Sequence, residues 1–455
     1  MQPNSNVPTS VEPSAIASSV SLPANNLRSN EKLGQRIDKP QRRPLAIEGA
    51  PVAFQQPLHV GCPVILDRQA FLDRVNGVLD RQWLTNNGQE VREFEDRIQQ
   101  LLGVRHCVAV TNGTTALSLT AQSLDLTGEV ILPSFTFIAT AHAISSLGLT
   151  PVFADIKLKT ACIDPESIES LITERTSAIL AVHLWGRSCE IEKLRQLAKR
   201  HNLKLIFDAS HAFCTTHHGR AIGNFGDAET FSFHATKYIS AAEGGAITTN
   251  SDTLASKLRA ARNFGFTGVD QVEHYGTNAK MNELCASMGN ASLDSLEARL
   301  EINKRNFEMY RSSLANLPGI ELQEFDLSQV NNFQYVVIRV LSQEFGADRE
   351  FLLSALQSDN VLARRYFYPG CHRARPYSDS FEASRNNLPV TEQLASEVLS
   401  LPSGPSIGEL EIRRIGEIIA SVSQLARQSP DSYESLIPHL AQPRTDKAVS
   451  KEKTT

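Results

Sequence analysis

No apolar run in this chain approaches the roughly 20 residues that a bilayer-spanning helix needs, so a membrane-embedded protein is not expected. The N-terminus has no basic stretch followed by a continuous apolar one, and a secretory signal is not expected either. Cysteine is sparse and scattered. The seven, at 62, 107, 162, 189, 214, 285 and 371, are odd in number and form no C-x-x-C pair. That argues against a disulfide framework and structural zinc, and for a reducing cytoplasm with no metal site. Excess basic charge is absent too: the net charge is −5 and the pI is near 6.2. Neither nucleic acid nor an anionic membrane is an expected partner. The chain shows no internal repeat.

What remains is the composition of an ordinary globular chain, with 41% hydrophobic and 21% charged residues among 455. That length accommodates two domains. Residues 1–55 are rich in Pro, Ser, Asn and Gln and poor in large apolar side chains, so they read as a disordered tail. Residues 428–455 read the same way. Between them, short apolar runs such as Val130–Leu132, Pro151–Ala154, Ala178–Val182, Leu203–Phe207 and Ala246–Thr249 alternate with helical stretches such as Ile191–Asn202. This alternation predicts an α/β fold, a mostly parallel sheet covered on both faces. The predicted large domain spans 56–300. A charged helix over Leu293–Leu317 leads to a smaller α+β C-terminal domain over 301–427.

Three places carry chemistry. Val108–Val110 runs into Thr111-Asn112-Gly113-Thr114-Thr115, and Leu117, Ala121 and Leu124 then recur at helical spacing. A helix start after a Gly turn offers free N–H groups and hydroxyls to an anion such as phosphate, although Thr and Gly there also serve as plain caps. Leu205-Ile206-Phe207 ends in Asp208, followed by Ser210 and His211. Polar groups then stand at a carboxyl end of the sheet, where open α/β folds bind ligands. Thr230 to Lys237 sets a lysine among hydroxyls and aromatics ahead of Gly244-Gly245. An accessible neutral amine and a nearby acid are what pyridoxal-phosphate (PLP) chemistry requires.

Taken together the motifs resemble the DegT/DnrJ/EryC1/StrS family of sugar aminotransferases, over about residues 57–425. They are WLTNNG (83–88), TNGTTAL (111–117), PSFTFIAT (133–140), PVFADI (151–156), HLWG (183–186), DASHA (208–212), SFHATK (232–237), EGG (243–245), GTNAKMNEL (276–284) and LSLP (399–402). The resemblance implies a fold type I PLP-dependent transferase, with a seven-stranded sheet in the large domain. It implies Lys237 as the Schiff-base lysine, Asp208 as partner of the pyridine N–H, His211 near the 3-oxygen and Phe137 stacked on the ring. Gly113, Thr114, Thr115 and Ser232 would hold the phosphate, joined by Asn278 from the neighbouring subunit of a homodimer. Ser210 stands where Ala is commoner beneath the ring, and Lys280 where Arg is frequent. The segment ARRYFYPGCHRARPY (363–377) resembles the substrate-facing stretch of the viosamine type, implying Arg365, Tyr366 and His372 as ligands of a dTDP-linked 4-keto-6-deoxy sugar. Glutamate is the family's usual amino donor. A lyase or dehydratase on the same scaffold, or a non-catalytic relative, are the alternatives. Retention of Lys237 speaks against a dehydratase of the kind that carries His there, and retention of Lys237 and Asp208 against the non-catalytic relative.

Overall fold

Seven strands build the central sheet: β1 (His106–Val110), β2 (Glu129–Pro133), β3 (Thr150–Ala154), β4 (Thr176–Val182), β5 (Lys204–Asp208), β6 (Ala228–Ser232) and β7 (Gly245–Thr249). In the computed structural model, which describes residues 42–63, 65, 67–379 and 387–436, their spatial order is β1-β7-β6-β5-β4-β2-β3. β2 through β6 pair in parallel, and β7 runs antiparallel between β6 and β1. Every residue of β2 and β7 is buried. Such strands have no solvent face, which is why they read as unbroken apolar runs instead of alternating ones. This is the mostly parallel, fold type I sheet that the sequence leads one to expect.

Helices close both faces. Gln89–Leu102 turns Val91, Phe94, Ile98 and Leu102 inward at helical spacing. Its start is capped from another helix: the buried Glu283 carboxylate accepts from the N–H groups of Glu90 (2.9 Å) and Val91 (3.2 Å). An anion there satisfies donors that no helical carbonyl reaches and complements the positive helix end. Gly88 is required at this junction, because a Cβ would lie 2.4 Å from that carboxylate.

The expected helix over Leu293–Leu317 is interrupted. Glu283–Asp294 ends, Ser295 leaves helical geometry at φ −103° and ψ 16°, and a second helix covers Leu296–Leu314. That second helix leads from one core to another. Leu296 and Leu300 lie against the core of the large sheet, whereas Phe307, Tyr310 and Leu314 belong to a second core. The second core is built on an antiparallel sheet of β8 (Ile320–Leu322), β9 (Val336–Val340) and β10 (Val398–Leu401), with the helices Arg349–Ser358 and Glu409–Gln428. No helix among the described residues is long and apolar enough to cross a membrane.

The expected tails need correction where the structure describes them. Residues 1–41 and 437–455 lie outside the described residues. Residues 42–55, by contrast, are packed: Leu45 is fully buried in the second core. The Asp359 carboxylate accepts from the Ala53 N–H at 2.8 Å. Leu58-His59 then pairs with Val361-Leu362. Leu45, Ile47 and Phe54, spread among prolines, charges and small residues, show no helical or strand period in the sequence that would reveal this docking. At the other end Pro430–Leu436 is helical and brings Tyr433 to 4.5 Å from the Phe351 ring. A chain starting at Gln56 should therefore melt well below one starting at Arg42. Leu45→Ala alone should cost about 2–5 kcal/mol in a denaturant titration, the range for emptying a buried leucine site.

Candidate active site

The sheet register gathers the site. Gly245 stands opposite both Val110 and Ser232, and Asp208 stands opposite Thr230. The ends of β1, β5 and β6 and the start of β7 therefore share one edge. At that edge the helix Gly113–Ser123 begins. Asn112 caps it, its Oδ1 accepting from the Thr115 N–H at 2.9 Å. The N–H groups of Gly113 and Thr114, in the first turn, have no helical carbonyl to bond. A Cβ on Gly113 would come within 2.9 Å of the Ser232 Cβ. The turn and the Ser232 hydroxyl thus form one cradle suited to a phosphate.

Asp208 is buried and held from both sides. Its Oδ2 accepts from Thr140 Oγ1 at 2.9 Å, and its Oδ1 accepts from the Ser210 N–H (3.1 Å) and hydroxyl (2.6 Å). Ser210 thus acts on the carboxylate, a role its place in the motif does not announce. Thr140 was not singled out from the sequence. It lies one helical turn after Thr136, whose hydroxyl is 3.1 Å away, and only the packing shows that this turn faces β5.

Lys237 lies within electrostatic reach of Asp208. Burial pushes its amine down to about 8, against the upward pull of that carboxylate. His211 is buried, and desolvation together with the Lys237 charge keeps it well below the usual histidine range. The Trp185 N–H donates to its Nδ1 at 3.3 Å. A neutral ring accepting at Nδ1 carries its proton on Nε2, so His211 presents a donor. Tyr335 and Phe367 wall this ring at centroid distances of 4.5 and 5.9 Å.

Phe137 is 55% exposed, and its ring lies 6.2 Å from Phe367. Tyr366 stacks on Phe367 at 5.0 Å and so reaches the same aromatic wall. Arg365 turns elsewhere, pairing with Glu350 at 3.2 Å and lying over the Tyr368 ring at 4.6 Å. His372 is buried with both ring nitrogens engaged, by Ser134 Oγ at 2.6 Å and Glu392 at 3.4 Å. These contacts make it a tie between its segment and the Pro133 turn. Asn278 is exposed, and Lys280 donates to its Oδ1 at 2.7 Å, which leaves the amide NH2 as a donor.

The model of the DegT/DnrJ/EryC1/StrS aminotransferase family matches residues 66–420. The chain belongs to this family. Among its relatives is the dTDP-4-amino-4,6-dideoxy-D-glucose transaminase of Shigella dysenteriae, 35% identical over 77% of this chain and 94% of that one. The GDP-perosamine synthase of Vibrio cholerae is 32% identical over 75% and 93%. The solved structure of DesI in the presence of its TDP-sugar product superposes with a TM-score of 0.81 at 45% identity, covering 87% of this chain and 98% of that one. As a DegT/DnrJ/EryC1/StrS aminotransferase, the protein is a PLP-dependent transaminase. Its residues fit the cofactor: a glycine turn without room for a Cβ, a desolvated lysine, and a buried carboxylate held in place by two hydroxyls.

Replacing Asp208 with Asn should lower kcat by at least about 100-fold with little change in KM, since shape is kept and charge is lost. Ser210→Ala should cost about tenfold, in line with one hydrogen bond to a charged group. Steady-state kinetics on both variants checks the order. The lysine makes a second prediction. An amine is nucleophilic only when neutral, so PLP uptake by cofactor-free enzyme should rise about tenfold per pH unit below the Lys237 pKa. It should level off near pH 8. A rate still climbing at about pH 10, where an ordinary lysine titrates, would contradict a desolvated Lys237.

Proposed function

We propose that this transaminase takes the amino group of glutamate and delivers it to the keto carbon of a dTDP-linked 4-keto-6-deoxy sugar. The observation that carries the reading is the desolvated Lys237 beside the clamped Asp208 at one sheet edge. PLP bound there supplies the electron sink. Asp208 would keep the pyridine nitrogen protonated, and the His211 Nε2–H would donate to the 3-oxygen. Phe137 would cover the ring, and Gly113, Thr114, Thr115 and Ser232 would hold the phosphate. With the cofactor bound, Lys237 Nζ would be the base that takes the proton from the donor's α-carbon. Tyr366 lies on the aromatic wall of this site, and Arg365 reaches a diphosphate by exchanging its pairing with Glu350. The substrate class draws on the names of the Shigella transaminase and of DesI with its TDP-sugar. All seven cysteines are unpaired, which suits a cytoplasmic enzyme.

The site is read as shared within a homodimer, Asn278 donating its NH2 to the phosphate in the partner's cradle. Several large side chains nearby in sequence are open to solvent in the single chain, among them Phe264, Phe266 and Tyr275. A covering subunit accounts for that exposure.

Two experiments test the reading. Borohydride reduction and peptide mapping should place the pyridoxyl label on Lys237, and Lys237→Ala should carry none and turn over nothing. With glutamate as donor, dTDP-4-keto-6-deoxy sugars should outrun GDP-linked and 3-keto sugars, and a preference for GDP would overturn the substrate assignment. Mixing inactive Lys237→Ala chains with Asn278→Ala chains tests the shared site. If Asn278 acts across the interface, each heterodimer holds one intact site and activity reappears. If it acts within its own chain, mixing restores nothing.

A further inference from the structure

A cleft of about 1350 Å³ contains none of the residues assigned to the cofactor. On its wall stands a cluster of metal-ligating side chains. Glu192 lies in the first turn of the helix Ile191–Arg200. His217 and His218 sit on the tight turn between the short strands Thr216–His217 and Arg220–Ala221. One ligand atom from each of Glu192, His217 and His218 lies within 4.8 Å of the others.

The backbone explains why two neighbours in sequence meet. In an extended strand, adjacent side chains point to opposite faces. Here His218 has φ +49° and Gly219 φ +75°, the two positive values of a two-residue hairpin turn. The turn brings the rings of His217 and His218 to 4.3 Å. Gln329 pins it, its Oε1 accepting from the Gly219 N–H (3.1 Å) and from Thr216 Oγ1 (3.2 Å). Histidine is tolerated at positive φ but is not the cheapest residue there; glycine is.

The ring of His217 is also oriented. Its Nε2 faces Glu192 Oε2 at 2.8 Å, while Nδ1 faces Ser188 Oγ at 2.8 Å. At 2.8 Å, Nε2 and Glu192 Oε2 share a proton; an entering ion would displace it, and the Nδ1–H donated to Ser188 Oγ would then hold the neutral ring with Nε2 as the ligand atom. This is the outer partner that metal-binding histidines use to set their tautomer. Asp326 adds negative charge within reach of His218. A His–Glu surface pair alone would be a salt bridge; the second imidazole and the Ser188 contact go beyond it. Two imidazole nitrogens and one carboxylate oxygen suit a borderline transition ion, whereas magnesium and calcium favour all-oxygen shells. Tetrahedral zinc, with bonds near 2.0–2.2 Å, needs donors about 3.3–3.5 Å apart. Rotation of the exposed Glu192 and His218 side chains would reach that spacing, moving the Glu192 oxygen out from 2.8 Å and bringing in donors that now lie up to 4.8 Å apart.

We propose that Glu192, His217 and His218 bind one divalent transition ion of the zinc class, clamping the 216–221 hairpin to the helix 191–200, with solvent in the fourth position. The test uses PLP-loaded enzyme freed of metal by a chelator and dialysed against Zn2+ with excess Mg2+. One Zn2+ per chain is expected, with a roughly micromolar Kd and a raised melting temperature. Glu192→Gln and His218→Asn should each weaken binding by at least about tenfold, and Ser188→Ala by about tenfold. Asparagine keeps the turn because it accepts positive φ, and unchanged visible absorbance of the bound cofactor confirms folding. The half-buried thiols of Cys62, Cys214 and Cys285 are competing zinc ligands. If the Glu192→Gln, His218→Asn double variant binds Zn2+ as the parent does, the proposal is overturned. It is equally overturned if the parent takes up no stoichiometric Zn2+ at about 100 μM, well above that Kd.

Discussion

Gly245 leaves no room for a side chain, since a Cβ there would lie 2.5 Å from the Asn112 carbonyl carbon and 2.8 Å from the Gly113 nitrogen. This close approach of two backbones lets the single antiparallel strand sit between β1 and β6. From it follows the register that faces Val110 and Ser232 across Gly245. The cradle made by the Gly113 turn after one strand and the Ser232 hydroxyl two strands away exists only while that register holds. A shift by one residue would reverse every side chain on the strand and break the cradle.

Charge is arranged around the same edge. Asp208 is buried, and an ionised carboxylate in such a place is expensive unless it is bonded. Two hydroxyls and one N–H meet that need. The carboxylate then acts on the lysine, partly offsetting the burial that depresses its pKa, and the lysine charge helps keep His211 neutral. One acid, one base and one neutral donor arise from residues within thirty positions in sequence because burial acts on each with a different set of partners.

The small antiparallel sheet and its core depend on the chain before the large sheet. Leu45 and the strand residues Leu58-His59 reach across to helix Arg349–Ser358 and to Val361-Leu362. The long helix Leu296–Leu314 makes the opposite passage. Two connections running in opposite directions hold the second core against the residues that carry the aromatic wall, Tyr335 and Phe367.

The amino-acid sequence by itself determined the class of fold and offered the residues from which the site is proposed. Short apolar runs without alternation, separated by helical stretches, read as strands covered on both faces, and Asp208, Lys237 and the Gly113 turn are local signals at or shortly after strand ends. What it did not decide were contacts between residues distant in the chain. Thr140 meets Asp208 from 68 positions away. The Trp185 N–H, not the ring's own neighbours, selects the His211 tautomer. His372, read as a ligand, is drawn inward by Ser134, 238 positions earlier. Leu45 is docked although its surroundings read as a tail. A side chain's type can be read in one dimension, but its partners are fixed by packing and strand register, which only the folded chain possesses.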